Sequence, residues 1–420
     1  MSALLLALLL AAGRTLTLDE ALALARRNPQ LAQAQAAITQ AVGQVGVARS
    51  GFLPSASASA SYTAATSNFA PQPTLGRPTT PSQPANDILY PFYNATAIAI
   101  TQPIWDFGRT LGAYQSARDA EGAAQANASA TWNNVELQVR TGYYGVLAAQ
   151  ALVEVGRQTI ASDEKKLDLA KGQYEVGQRP RFDVTQAQVD LENARITLIQ
   201  YRNAVALARI NLAQAVGQDI SDATLVTPAI PGGADPEAGP LMDVAMKDRP
   251  DLKAAELQIL AQDESLSSAK SAFWPILSAS GALGWKGSDL PLVHNWQVGA
   301  TLTWPFLNGG ADLGRIESQR GALEQARAAR DILVLQIRAD VEQGVTSVIE
   351  ARARREAART LVGQARENLE LAEGRYQYGL GTIIDLSVAQ TAYANAQAQE
   401  VKAAFDLATA WAQLDRAVGR

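Results

Sequence analysis

The nine residues WQVGATLTW (296–304) alternate between two kinds of side chain without a break. Trp296, Val298, Ala300, Leu302 and Trp304 share one parity, and Gln297, Gly299, Thr301 and Thr303 share the other. Successive side chains of a β-strand point to opposite faces, so the stretch predicts a strand with one apolar and one polar face. Tryptophan closes both ends of the apolar face, and eight steps at about 3.3 Å each span roughly 26 Å. A membrane-crossing strand needs that length and those interfacial aromatics. The run before it repeats the pattern, with Leu277, Ala279, Leu283 and Trp285 on one parity and Ser278, Ser280 and Gly284 on the other.

This pair of strands has a fainter copy upstream, because the chain is written twice. RNPQL (27–31) returns as DRPDL (248–252) and SGFLP (50–54) as SAFWP (271–275), both 221 residues later. Beyond them Pro103 returns as Pro305, YEVG (174–177) as YQYG (376–379) and Asp183 as Asp385, all 202 residues later. One change of loop length therefore separates the copies. Carried back to the first copy, the register turns the alternating SASASAS (55–61) into a strand. Ala56, Ala58, Ala60 and Tyr62 then face outward beside Ile98 and Ile100, while the serines face inward with Ala97, Ala99 and Thr101.

The first repeat is expected over 14–220: a helix, a strand at 54–63, a loop at 64–94, a strand at 95–103, and helices at 107–176 and 181–217. A linker covers 221–237. The second repeat, 238–420, is expected as a helix, strands at 275–285 and 296–304 around a loop at 286–295, and helices at 310–377 and 382–418. Leu333, Ile337, Val341, Val345 and Val348 step by four or three, matched by Val135, Val139, Tyr143 and Val146. Such a stripe suits antiparallel coiled-coil packing, and an ordinary core carries the same pattern. About 70 proline-free residues at 1.5 Å each make rods of roughly 100 Å. Four strands cannot stand open in lipid, where edge amides and carbonyls go unpaired, so closure needs other chains. Three copies would supply twelve strands.

Composition narrows the function. A net charge of −5 and a pI near 5.2 leave no basic footprint, so no nucleic-acid partner is expected. With no cysteine, one histidine (His294, placed in the 286–295 loop and given no role) and no glycine-rich phosphate loop, no catalytic constellation, cofactor or metal site is expected. MSALLLALLLAAG (1–13) has the length and small-residue end of a secretory signal, though no Lys or Arg precedes the apolar run. The competing architecture is a periplasmic coiled-coil scaffold or adaptor without a pore, which needs no lipid-facing strands.

The doubled arrangement, SGFLP and SAFWP leading into strands, and GRYQYGLGTIIDLSVAQ (374–390) resemble the outer membrane efflux proteins, the TolC-like channel-tunnels. The resemblance covers nearly the whole chain after residue 15. It implies a mostly α fold with a small β part, in which long antiparallel helical hairpins adjoin four strands per protomer of a trimeric twelve-stranded outer-membrane barrel. It implies a passive exit duct for efflux or type I secretion, docked to a periplasmic adaptor and an inner-membrane pump or ABC transporter. Tyr376 and Asp385 match the family's closing residues at the periplasmic aperture, with Asp183 and Tyr174 their counterparts in the first copy. Three Asp385 carboxylates would form a ring. Val176, Gly177, Gln178, Tyr378, Gly379 and Leu380 match the adaptor-docking tips. Gly381 departs from the family's arginine, and Val388 from a second aspartate. Ile98, Ile100, Leu277, Leu283, Trp285, Trp296, Val298, Leu302 and Trp304 are the expected lipid-facing residues.

Overall fold

The computed structural model describes residues 15–66, 89–220, 222–229, 234–287 and 290–420. The expected signal segment and most of the 64–94 loop lie outside the described residues. Among the described residues, chain contacts define two compact units that cut across both repeats, one drawn from 15–37, 125–254 and 331–420, the other from 38–124 and 255–330.

In chain order the elements are β1 (Thr15–Leu16), α1 (Leu18–Ala25), α2 (Pro29–Ser50), β2 (Ser55–Thr66), β3 (Leu89–Trp105), α3 (Arg109–Glu175) and α4 (Arg181–Val216). The second half follows as β4 (Thr224–Leu225), α5 (Ala238–Asp248), α6 (Pro250–Lys270), β5 (Ile276–Gly287), β6 (Val293–Thr303), α7 (Ala311–Gln377) and α8 (Ile383–Val418). The long helices α3 and α7 both run 67 residues, and the returning helices α4 and α8 both run 36. The segments ahead of β2 and β5, expected as single helices, are each broken. Pro29 and Pro250 start the second pieces, because proline lacks the N–H an unbroken helix would use there.

The first unit builds its core from the expected stripes. Val135, Val139, Tyr143 and Val146 are fully buried, as are Ile337, Val341 and Val348. Within the span expected as a linker, Thr224–Leu225 pairs in parallel with Thr15–Leu16. The Tyr143 hydroxyl stitches the two, donating to Leu16 O (2.8 Å) and accepting from Val226 N (3.0 Å). The repeat is close enough to preserve contacts. A Cβ on Gly142 would lie 3.3 Å from Leu212 and one on Gly344 would lie 3.0 Å from Leu414, both pairs 202 residues apart. Asn28 Nδ2 donates to Ala215 O (2.7 Å), and at the equivalent position an Arg249 nitrogen donates to Ala417 O (3.2 Å).

The second unit holds one antiparallel sheet in the order β2-β3-β5-β6, so the two repeats join through β3 and β5. Leu277, Ala279, Gly281 and Leu283 pair with Leu302, Ala300, Val298 and Trp296, and Ile98 pairs with Leu283. One face is thereby apolar across the sheet, with Ile98, Ile100, Leu283, Trp285, Trp296, Val298 and Leu302 exposed on it. Leu277 is half-buried on that face. Trp304 lies one residue past the end of β6, its indole N–H donating to Phe273 O (3.0 Å).

Two expectations need correction. Ala97 does not face inward, because it is the extra residue of a bulge between Thr96 and Ile98. The bulge reverses parity in the first half of β3, so that Ala95 and Tyr93 join the apolar face and Tyr93 meets Tyr62 at 5.1 Å. His294 is not in a loop. It lies in β6 opposite Trp285, since pairing continues past the residues that simple alternation marked.

The bulge also fixes what Gly284 can be, since a Cβ there would sit 2.3 Å from Ala95 O. Gly284→Ala should lower stability by at least about 1–3 kcal/mol, the usual range for overpacking. Gly281→Ala, with nothing nearer than 3.8 Å, should be tolerated. Recovery of heat-resistant folded protein from detergent compares the two variants.

Candidate functional site

The turns joining α3 to α4 and α7 to α8 end their long helices in the same way. Gly177 and Gly379 adopt φ of 74° and 77°, the left-handed conformation that only glycine enters without strain. Gln178 N then reaches back to Gln173 O (2.9 Å) and Leu380 N to Arg375 O (2.8 Å). The following helices start differently. Thr382 and Asp385 form a capping box at α8, with Asp385 Oδ2 accepting from Thr382 N (3.1 Å) and Oγ1 (2.7 Å). These bonds from Thr382 hold the Asp385 carboxyl below the usual carboxylate range. α4 instead begins after Pro180, which offers no side-chain cap.

Asp183, freed from capping, turns inward. It is 5% exposed and accepts a hydrogen bond at Oδ2 from the fully buried Tyr376 hydroxyl (3.1 Å). Burial, with the adjacent Asp183 charge, pushes the Tyr376 phenol up to about 12. Arg179 covers the pair, its guanidinium carbon 4.7 Å from the Tyr376 ring centre. It donates to Gly381 O (2.8 Å) and Tyr376 O (3.2 Å). Position 381, where the resemblance places an arginine, is glycine, and its carbonyl accepts from Arg179, the equivalent turn position of the other copy.

Of the four expected aperture residues, the fold brings together Tyr376 and Asp183. Tyr174 and Asp385, the other equivalent pair, both stay exposed. At the tips, Val176, Tyr378 and Leu380 are 68%, 81% and 77% exposed, and Gly177, Gln178 and Gly379 are exposed with them.

Behind the turns lies a cluster the sequence reading missed. The Lys166 ammonium, its side chain 2% exposed, lies 2.9 Å from Asp163 and 2.7 Å from Asp190. Asp190 also accepts from Gln186 (2.9 Å) and from the Ser387 hydroxyl of α8. Burial pushes Asp163 up despite Lys166. Burial also pushes Asp190 upward, but the bonds from Lys166 and Ser387 outweigh it and hold that carboxyl low. Beside them is a cavity of about 250 Å³, and Gln390 of α8 on its wall donates to Ser162 (3.1 Å). A charge inside an apolar stripe was the available signal, for Asp163 interrupts Ile160, Leu167 and Ala170.

Each hairpin is closed internally by apolar contact: Leu167, Ala170, Ala187 and Leu191 in α3–α4, and Leu369, Tyr376, Ile383, Leu386 and Ala389 in α7–α8. Between the hairpins at this end run the hydrogen bonds from Tyr376 to Asp183, from Arg179 to Gly381 O and Tyr376 O, from Ser387 to Asp190 and from Gln390 to Ser162.

The chain matches the family model described as "Outer membrane efflux protein" over residues 19–218 and 241–420. The toluene efflux pump outer membrane protein TtgC of Pseudomonas putida is 25% identical over 342 residues, covering 78% of this chain and 69% of its own. Solved structures share the fold, among them the following two. The Vibrio cholerae outer membrane protein VceC has a TM-score of 0.82 and 22% identity, with 96% of each chain covered. The Campylobacter jejuni channel CmeC has a TM-score of 0.84 and 18% identity, covering 96% of this chain and 85% of its own.

Proposed function

Because this chain belongs to the outer membrane efflux protein family, we propose that three copies close their sheets into one twelve-stranded barrel and serve as the passive exit duct of a tripartite pump. The protein is an outer-membrane efflux channel, and its family and structural neighbours are channels rather than enzymes. Nothing in the fold or the relatives favours the pore-less scaffold.

The sheet is the observation that carries the proposal. It has one exposed apolar face, and among the described residues β2 and β6 each pair on one side only. Such edges are not tolerated in hydrocarbon, and joining β6 to the β2 of another copy continues the antiparallel order until the ring closes. Purified in detergent, the protein should cross-link to a three-chain species and give stepwise conductance in planar bilayers. A protein that dissolves without detergent as one chain sinks the proposal.

The helical turns supply the periplasmic aperture, closed by Tyr376, Asp183 and Arg179, with Tyr174 and Asp385 on the exposed side. The exposed apolar tips around Val176, Tyr378 and Leu380 suit a periplasmic adaptor that couples the duct to an inner-membrane pump. Leu380→Asp should leave bilayer conductance unchanged while cells retain several-fold more of a fluorescent efflux dye. Equal dye efflux in variant and wild type removes Leu380 from the docking surface.

A further inference from the structure

We propose that Asp385 of each copy accepts a hydrogen bond from Tyr174 of the neighbouring copy, so that one tyrosine–aspartate pair closes every seam of the aperture. The proposal rests on the trimeric reading above and adds a site that no single chain contains.

The repeat carries the argument. In a closed ring of three chains, first and second hairpins alternate, so where the two repeats are alike a contact between the hairpins of one chain has a counterpart between chains. Moving from one hairpin to the next adds 202 to a first-repeat residue and subtracts 202 from a second-repeat residue, which then belongs to the next chain. The bond from Tyr376 to Asp183 becomes a bond from Tyr174 to Asp385. Within the hairpins the equivalence holds in three dimensions as well as in sequence. The glycine–leucine contacts at 142 and 212 and at 344 and 414 coincide, as do the left-handed turns at Gly177 and Gly379.

Both proposed partners are available. Tyr174 is 46% exposed, whereas its equivalent Tyr376 is fully buried. Asp385 is exposed, and Thr382 engages it through Oδ2 alone, leaving Oδ1 to accept.

The two kinds of seam would not be equally strong. Within a chain the tyrosine–aspartate pair is backed by Arg179 and by Lys166 between Asp163 and Asp190. Their equivalents are Gly381, Asn368, Ala365 and Ala392, none of them charged. The boundary between copies keeps the pair without those ions, so it is the weaker of the two seams that close the aperture.

The absence of cysteine makes the test clean. A hydrogen-bonded tyrosine and aspartate stand too far apart at Cα for a disulfide, so the probe is bismaleimidoethane on Tyr174→Cys with Asp385→Cys. The expected product on a denaturing gel is a covalent three-chain species, absent from either single variant. A matched control, Asp183→Cys with Tyr376→Cys, should link only within one chain. If glutaraldehyde gives three-chain species from the wild type but bismaleimidoethane gives only single chains, the pairing is overturned and the trimer stands. If glutaraldehyde gives no oligomer, both fall.

Conductance supplies a readout independent of engineered thiols. Tyr174→Phe and Asp385→Asn, the latter retaining an acceptor for the Thr382 cap, should each raise the open-to-closed ratio about tenfold. The double variant should add nothing, since both remove one bond. Additive effects would show that the residues act separately and would overturn the pairing.

Discussion

Ala300→Arg should remove the protein from the outer membrane, while Thr301→Arg one residue later should be tolerated. Ala300 lies midway between Trp296 and Trp304 on the exposed apolar face, opposite Ala279. An arginine on the lipid face near the bilayer midplane costs about 2–4 kcal/mol. Three copies in one ring raise that to roughly 6–12 kcal/mol, comparable to the whole stability of an ordinary domain. Thr301 belongs to the opposite parity and faces water in the closed barrel, where a guanidinium keeps its hydration. Heat-resistant oligomer in the outer-membrane fraction distinguishes the two. Equal loss from both would overturn the assignment of one face to lipid and the other to water.

The second large effect is expected at the turns, from Tyr376→Phe. The substitution keeps the ring under Arg179 but strips Asp183, 5% exposed, of its donor from the phenol. A buried polar group left without its partner costs about 1–3 kcal/mol, and more when charged, in each of three copies. The hairpins should part far more often, with a many-fold rise in open probability in planar bilayers and greater sensitivity to large antibiotics. Tyr376→Phe combined with Asp183→Asn should recover part of the closure, because the amide needs less compensation than the carboxylate. Wild-type conductance from Tyr376→Phe alone would remove the pair from the gate.

The phenol's side of this bond should be indifferent to ordinary pH. The Tyr376 phenol sits above its usual value, at about 12. Its contribution is therefore complete below the unfolded value near 10 and is lost only as pH rises through the folded one. Conductance that changes between about pH 5 and pH 9 has its origin in groups other than this phenol.

Much of this architecture is legible from residue order alone. Parity puts Trp296, Val298, Ala300 and Leu302 on one face, and the 202-residue offset matches α3 with α7 and α4 with α8. These features are periodic and local, and the backbone enforces them whatever lies opposite. The short β1–β4 pairing and the bulge at Ala97 are not legible, because each depends on what the neighbouring segment requires. Parity counted through NATAIAI cannot know that one residue is skipped and that Tyr93 thereby meets Tyr62.

The turns divide in the same way. Gly177, Gly379 and the Thr382–Asp385 cap are local chemistry, written in adjacent residues. The assignment of partners is not local. Tyr174 with Asp183 and Tyr376 with Asp385 look alike in sequence, yet the fold buries Tyr376 against Asp183 and leaves the other two outside. Arg179 and Lys166 gave little sign of their roles, since a guanidinium capping another turn's carbonyls and an ammonium between two carboxylates exist only once hairpins meet. The repeat, the strands, the long helices and the family thus follow from the order of residues along the chain. Which of two equivalent polar sets is buried follows only from the folded packing, because hydrogen bonds between segments about 200 residues apart depend on how those segments meet and leave no period in the chain.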